Sequence, residues 1–240
     1  MINWLLLIVF IAAQSLGMLN ATDCKINSGA YIGINTGLSN LSGKSTFVGH
    51  NNAAPDSYPY NDGKLSNTSM GISLFGGYGL KWKGLWTAAE LFYQHDNLKN
   101  KNMFSLENLQ IKDRLTTTFK SSGAWGGSVH LGGVIDNSYA IYAIAGIETR
   151  KFKVSFPSNL LIENINVNKN YRSIAFVPGL GFSFMLSKNL SLKTEYKYAL
   201  HRSKRYNNEK FDPNTGANDV INMKNSPKIQ YLNLGIAYRF

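Results

Sequence analysis

Residues 228–240, KIQYLNLGIAYRF, decide the fold. Every second residue from Leu232 is apolar: Leu232, Leu234, Ile236, Tyr238 and Phe240. Between them stand Tyr231, Asn233, Gly235, Ala237 and Arg239, small or polar for the most part. A period of two is the mark of a β-strand whose two faces meet different surroundings. A soluble sheet with one face on a core would alternate in the same way. The distinguishing features are the position of this strand at the end of the sequence and its final aromatic ring.

Seven earlier segments carry the same signal. In residues 29–39, Ala30, Ile32, Ile34 and Leu38 oppose Tyr31, Gly33, Asn35 and Gly37. In 68–80, Met70, Ile72, Leu74 and Tyr78 oppose Gly71, Ser73, Phe75 and Gly77. Residues 84–94 set Leu85, Ala89, Leu91 and Tyr93 against Trp86, Ala88, Glu90 and Phe92. A fourth strand runs from about 116 to 133, with Trp125, Val129 and Leu131 opposite Ala124, Ser128 and His130. A fifth spans 139–154 and a sixth 171–186, where Pro178 lacks a ladder donor and predicts a bulge. The seventh, 190–201, sets Leu190, Leu192, Thr194, Tyr196, Tyr198 and Leu200 against Ser191, Lys193, Glu195, Lys197 and His201.

Connections alternate without exception. Short turns fall at Lys81-Trp82-Lys83, Asp136-Asn137-Ser138 and Ser187-Lys188-Asn189; long connections cover 40–67, 95–115, 155–170 and 202–227. Short turns at one end and long loops at the other describe an up-and-down transmembrane barrel. A bilayer leaves backbone amides without water, so crossing strands must close into a ring. About 9–11 residues suffice for each crossing, and all eight segments reach that length. Their apolar faces are nearly free of charge, whereas Glu90, Glu148, Arg150, Lys193, Glu195, Lys197 and Arg239 share the other face and are assigned to the lumen. A lysine or arginine at the lipid midplane would cost about 2–4 kcal/mol. Tyr78, Trp82 and Tyr139, with Tyr238 and Phe240, gather beside the short turns as an interfacial girdle.

Residues 4–13, WLLLIVFIAA, have the length of a secretory h-region and are too short to span a bilayer as a helix. The expected division is a signal peptide over 1–21, cleaved after Ala21 with Ala13 and Gly17 as alternatives, and one barrel domain over 22–240. The single cysteine, Cys24, excludes an intrachain disulfide and a cysteine metal cluster.

The segments YAIYAIAGI (139–147), Pro178-Gly179-Leu180-Gly181, LSKNLSLKTEYKY (186–198) and Tyr238-Arg239-Phe240 resemble the eight-stranded outer-membrane barrel families: the OmpA-type membrane domain, OmpX, the opacity-type proteins and related surface antigens of rickettsia-like bacteria. The resemblance covers about 29–240. It implies a bacterial outer-membrane location, contact with lipid and lipopolysaccharide, and an assembly signal at Tyr238 and Phe240 read by the barrel-assembly machinery. Peptidoglycan anchoring is not carried over, because no periplasmic segment follows the barrel in this sequence.

An eight-stranded barrel is only wide enough for side chains to fill. Glu90 and Glu195 are therefore expected to pair with lysines or arginines across the lumen, as structural filling or as a switchable ionic plug. Ser128 and His130 share a face, with Glu90 on a neighbouring strand; this nucleophile–base–carboxylate spacing also arises by chance. His50, His95 and His201 are dispersed, so neither a metal nor a cofactor is expected. The net charge of +11 falls on the long connections, at Lys99, Lys101, Lys112 and Arg114 and at Arg202, Lys204, Arg205 and Lys210. Such patches suit anionic lipid or a host-surface ligand; nucleic acid is not an expected partner of an exported barrel. The functional expectation is a non-enzymatic surface protein of structural, adhesin-like or antigenic role. The alternatives are a small-solute pore and, more distantly, a lipid A-modifying enzyme.

Overall fold

The computed structural model describes residues 25–51, 61–105, 114–158, 165–212 and 217–240. The expected signal peptide therefore lies outside the described residues, as do the segments 52–60, 106–113, 159–164 and 213–216 that join the long strands.

Ten strands follow in order: β1 (Gly29–Asn51), β2 (Asn61–Trp82), β3 (Leu85–Asp96), β4 (Leu98–Ser105), β5 (Arg114–Ile135), β6 (Tyr139–Ser158), β7 (Ile165–Met185), β8 (Leu190–His201), β9 (Lys204–Asp212) and β10 (Ala217–Arg239). All pairings are antiparallel. β1 joins β2 on one side and β10 on the other, so the sheet closes. Two of the ten strands are continuations: β4 takes over from β3 in pairing with β5, and β9 prolongs β8 along β10. The wall is thus a closed barrel of eight antiparallel staves.

The β3–β4 continuation begins where one strand carries an extra residue. Gln94 pairs with Ala124 but Leu98 pairs with Ser121, so three residues of the β3–β4 stave face two of β5. β5 is itself bulged against β6, with Ser121 opposite Phe152 and Ala124 opposite Arg150. The bulge reverses the inward parity of β5, so Ser121 and Ala124 are both buried although three positions apart.

Tight turns close one end of the barrel. Lys83 (φ 47°) and Gly84 (φ 90°) make the two-residue β2–β3 hairpin, whose handedness requires positive φ at both positions. The ladder runs to Trp82↔Leu85, so this turn lies one to two residues later than the sequence suggests. Asp136 (φ 48°) and Asn137 (φ 59°) also hold positive φ, in the three-residue turn that follows Ile135↔Tyr139 and leads into β6.

Two expectations need correction. Much of the long connections is strand: β1 and β2 remain paired from Asn40↔Thr68 to Phe47↔Asn61, and β6 and β7 from Ser155↔Asn168 to Ser158↔Ile165. Beyond the belt the outward face needs no apolar residues, so the period fades, yet the backbone ladder continues. Pro178 makes no bulge. Its β6 register is continuous through Ala145, and on the β8 side the ladder skips from Phe176↔Leu200 to Gly179↔Lys197 without a shift. The proline's missing donor is accommodated by an omitted pair.

Inward side chains fill the bore in two apolar zones. Tyr31, Phe75, Trp86, Phe92, Tyr142 and Ile144 lie toward the turn end. Leu41, Leu98, Phe119, Phe152, Val154, Ile229 and Tyr231 lie toward the long-strand end. Two rings are seated on glycines: a Cβ at Gly79 would enter the Trp86 ring and one at Gly181 the Tyr142 ring. The narrow bore accepts these aromatics only because the wall beneath them has no side chain.

The outer wall is apolar in a belt. Ile32, Ile34, Ile72, Leu74, Leu91, Val129, Leu131, Ile147, Leu180, Leu234 and Ile236 are all exposed. Phe184, two positions from the half-buried Phe182 and the exposed Leu186, is buried at 6% beneath the stacked ring of Tyr139, centroids 4.9 Å apart.

Candidate functional site

The barrel interior holds two layers of charge. The layer nearer the turns is built on β8, where period two points Lys193, Glu195 and Lys197 inward in succession. Lys193 Nζ lies 2.6 Å from Glu90 on β3 and 2.9 Å from Glu195; Lys197 Nζ lies 3.2 Å from the other oxygen of Glu195. Tyr31 donates to Glu90 at 3.2 Å and Tyr142 to Glu195 at 3.1 Å. Lys193 also stands over the Phe75 ring, 4.1 Å from its centroid, and Lys197 over Phe92 at 4.8 Å. Two carboxylates and two ammonium groups balance, and aromatic faces supply further cation stabilisation.

The second layer centres on Arg150 of β6, whose side chain is fully buried. Its guanidinium donates to both oxygens of Asp96, at 2.5 and 3.0 Å, to Ser121 at 2.9 Å and to the Tyr231 hydroxyl at 2.9 Å. A forked pair of this kind is the strongest charge-assisted contact available to arginine. Tyr231 passes the connection on, donating to Glu148 at 2.9 Å. Glu148 has Arg150 Nε at 3.6 Å and His201 Nε2 at 3.1 Å. Ser39 donates to Asp96 at 2.9 Å, bringing β1 into the same network.

Of the seven lumen residues named from sequence, six fall into these two layers, and every one is at most 8% exposed. Glu195 pairs with lysines two residues away on its own strand; Glu90 is the one that reaches across to β8. Arg239 stands apart at the turn end, stacked on Trp86 (4.7 Å) and Tyr31 (5.6 Å) and donating to the Asn27 carbonyl. There the chain before β1 crosses the opening: Ile26 is buried and its amide donates to the Asn137 carbonyl at 2.7 Å. Asp96 was not recognised from sequence as part of this interior, and Tyr231 and His201, though placed on the inward face, were not recognised as members of its charge network. Asp96 ends β3 in a stretch that reads as connection. Its signal was available, since it continues the parity of Glu90 and Gln94.

The residues with a catalytic or metal-binding pattern are enclosed in the first layer. Ser128 Oγ and His130 Nε2 are 3.0 Å apart, and the His130 ring is stacked on Tyr142 at 4.9 Å. Glu90, His130 and Glu195 bring ligand-type atoms within 4.8 Å of one another. Lys193 already lies between the two carboxylates, so the cation such a cluster would hold is supplied by the chain.

The aromatic residues beside the turns face outward, with Tyr78 54%, Trp82 69%, Tyr238 49% and Phe240 74% exposed; Tyr139 is half-buried. At the opposite end the outer wall is basic. Lys99 and Lys101 lie in β4 and Arg202, Lys204 and Arg205 at the β8–β9 junction, all exposed. The side chains of Arg114 and Lys210 and the whole of Lys112 are outside the described residues. Among the further exposed cations that were not anticipated are Lys120, Lys151, Lys153 and Arg172, on β5, β6 and β7.

A ring of strands with an apolar exterior and a charged interior inverts a soluble protein, and it matches the requirement of hydrocarbon that backbone groups be paired and outward side chains uncharged. Among the described residues no helix is long and apolar enough to cross a membrane. Solved structures share this architecture. OprG from Pseudomonas aeruginosa is 10% identical, with 91% of this chain and 100% of that one covered and a TM-score of 0.51. A major outer membrane protein from Thermus thermophilus is 10% identical, covering 88% and 99%, at 0.50. Ail, the attachment invasion locus protein of Yersinia pestis, solved with the heparin analogue sucrose octasulfate, is 13% identical over 90% and 100% of the chains at 0.43. No curated protein matches the chain. The family model described as "Outer membrane protein beta-barrel domain" matches residues 5–240, and the chain belongs to that family of the bacterial outer membrane.

Proposed function

We propose that the protein is a sealed outer-membrane scaffold that acts by what it displays at the cell surface, and neither conducts solutes nor carries out chemistry. The observation behind this reading is the pair of ionic layers that fill the bore, the first hydrogen-bonded to Tyr31 of β1 and Tyr142 of β6 and the second to Tyr231 of β10. An ion crossing the barrel would have to break Arg150–Asp96 and Lys193–Glu90, leaving buried charges uncompensated at a cost of several kcal/mol each. The Ser128–His130 pair is supported as lumen packing, because both groups are buried and stacked or bonded within the layer. The paired strands that rise beyond the apolar belt carry the surface available to a host ligand or antibody. Residues 1–21 are the proposed export signal, residues 22–240 the mature domain, and Tyr238 with Phe240 the proposed assembly signal.

Planar-bilayer recording tests the sealed reading. The purified barrel is expected to give no steady conductance. Ohmic channels in the unmodified protein, lost or altered in Glu195→Ala, would instead establish a pore. Edman sequencing of the mature protein from outer membranes is expected to begin at Thr22.

A further inference from the structure

We infer that the outward face of β4, β5, β6 and β7, just beyond the apolar belt, is a binding site for the phosphate groups of outer-leaflet lipid. The register carries the argument. Lys120 lies directly opposite Lys99 on one side and directly opposite Lys153 on the other. Lys151, next along the same face of β6, lies opposite Arg172 of β7. All five side chains are exposed and point away from the bore, because their sequence neighbours Leu98, Phe119, Ser121, Phe152 and Tyr171 are buried.

Like charges directly opposite on a sheet destabilise it. Here three strands in succession place lysine against lysine, and a fourth adds arginine. No carboxylate with a described side chain relieves the repulsion. Glu90, Asp96, Glu148 and Glu195 are inside the barrel, Asp136 is in a turn at the other end, and Asp62, Glu209, Asp212 and Asp219 lie on β2, β9 and β10, none of which pairs with β4, β5 or β6. An anion outside the wall is the complement that turns this register from a penalty into a site. Neighbouring staves are about 4.8 Å apart, so the row Lys99–Lys120–Lys153 spans roughly 10 Å, the width of one lipid head group.

Lipid is favoured over a soluble ligand by direction and height. The row faces sideways, where lipid packs around the barrel. Arg172 is two residues beyond the exposed Ile174, and Lys151 is four beyond the exposed Ile147. At about 3.3 Å per residue along a tilted strand, the cations stand at head-group depth. The apolar stems of lysine can follow the belt while the ammonium reaches phosphate.

The test uses the folded full barrel in phosphatidylcholine nanodiscs doped with either bisphosphorylated lipid A or phosphatidic acid, with lipids retained after release counted by native mass spectrometry. Retention of the phosphomonoester lipids is expected to exceed that of phosphatidylcholine by about tenfold or more. The triple variant Lys99→Gln/Lys120→Gln/Lys153→Gln is expected to erase that preference. Lys83→Gln/Lys188→Gln/Lys228→Gln, which removes three exposed charges elsewhere, is expected to keep it. Equal loss in both triple variants, or no phosphate preference in the parent, overturns the site. Binding of a soluble heparin oligosaccharide that the first triple variant abolishes, without any lipid preference, also overturns it and assigns the row to a glycan. If the first variant does not fold, judged by gel mobility before and after boiling, the single Lys120→Glu change is used and must lower retention. Conductance plays no part in these readouts, so a leaky barrel would leave the test intact.

Discussion

Strand β6 shows two opposite treatments of charge a few ångströms apart. Inward, Glu148 and Arg150 are buried and bonded to Tyr231, with Asp96 and Ser121 completing the set around Arg150. Outward, Lys151 and Lys153 face Arg172 and Lys120 with no described anion near them. The inner set is self-sufficient and the outer set is incomplete. Burial enforces the difference: an unpaired charge in the bore costs several kcal/mol, whereas an exposed one is screened within about 8–10 Å by salt. A chain can therefore leave unpaired charge on the outer wall at small cost and keep it for a partner, but it cannot do so inside.

The largest effect is expected from removing the best-connected inner residue. Arg150→Ala strands Asp96 and Glu148, and is expected to lower unfolding stability by about 3–5 kcal/mol. The check is the urea midpoint of the gel-mobility transition in detergent. Lys151→Ala, one position away on the outer face, is expected to stay within about 0.5 kcal/mol. Equal effects would mean that the inner layer is not the stabilising one. Next in size is Gly181→Val, which drives a side chain into the Tyr142 ring and disturbs its bond to Glu195; overpacking of this kind costs about 1–3 kcal/mol. Tyr231→Phe removes the hydroxyl that links Arg150 to Glu148 and is expected to cost about 1–3 kcal/mol, without change in gel mobility before boiling. The smallest effect has the opposite sign. Lys120→Glu puts an acid between Lys99 and Lys153 and is expected to stabilise the barrel in neutral detergent by about 0.2–1 kcal/mol per pair. A destabilised Lys120→Glu barrel would show that the outer row is not strained by its own repulsion.

Legibility followed from the same contrast. Period two assigns a face to each residue wherever one side of a strand meets hydrocarbon, so the eight staves and the inward parity of Glu90, Arg150 and Lys193 could be read from single strands. Beyond the belt the outward face meets water instead of hydrocarbon, so its residues turn polar and the period fades although Leu41 and Leu65 still point inward and are buried, which is why 40–47 and 61–67 read as connection although they are paired. Asp96 was lost for that reason, at the edge of the belt. His201 was seen to point inward but not to lie against Glu148, because that contact joins β8 to β6 across the bore. The row Lys99–Lys120–Lys153 was illegible in principle: it runs across strands, and register is a relation between strands that no one strand contains. The β5 bulge between Ser121 and Ala124 compounds this, since it shifts by one residue the partners that simple counting would assign.

The seam from Tyr31↔Arg239 to Asn51↔Asp219 makes β1 and β10 neighbours, although they are the most distant strands in sequence. Until β10 arrives, every intermediate is a curled ribbon with two raw margins of unpaired amides, able to stitch onto any other sheet it meets. The ring that forms once the two margins meet has no frayed end from which to peel open.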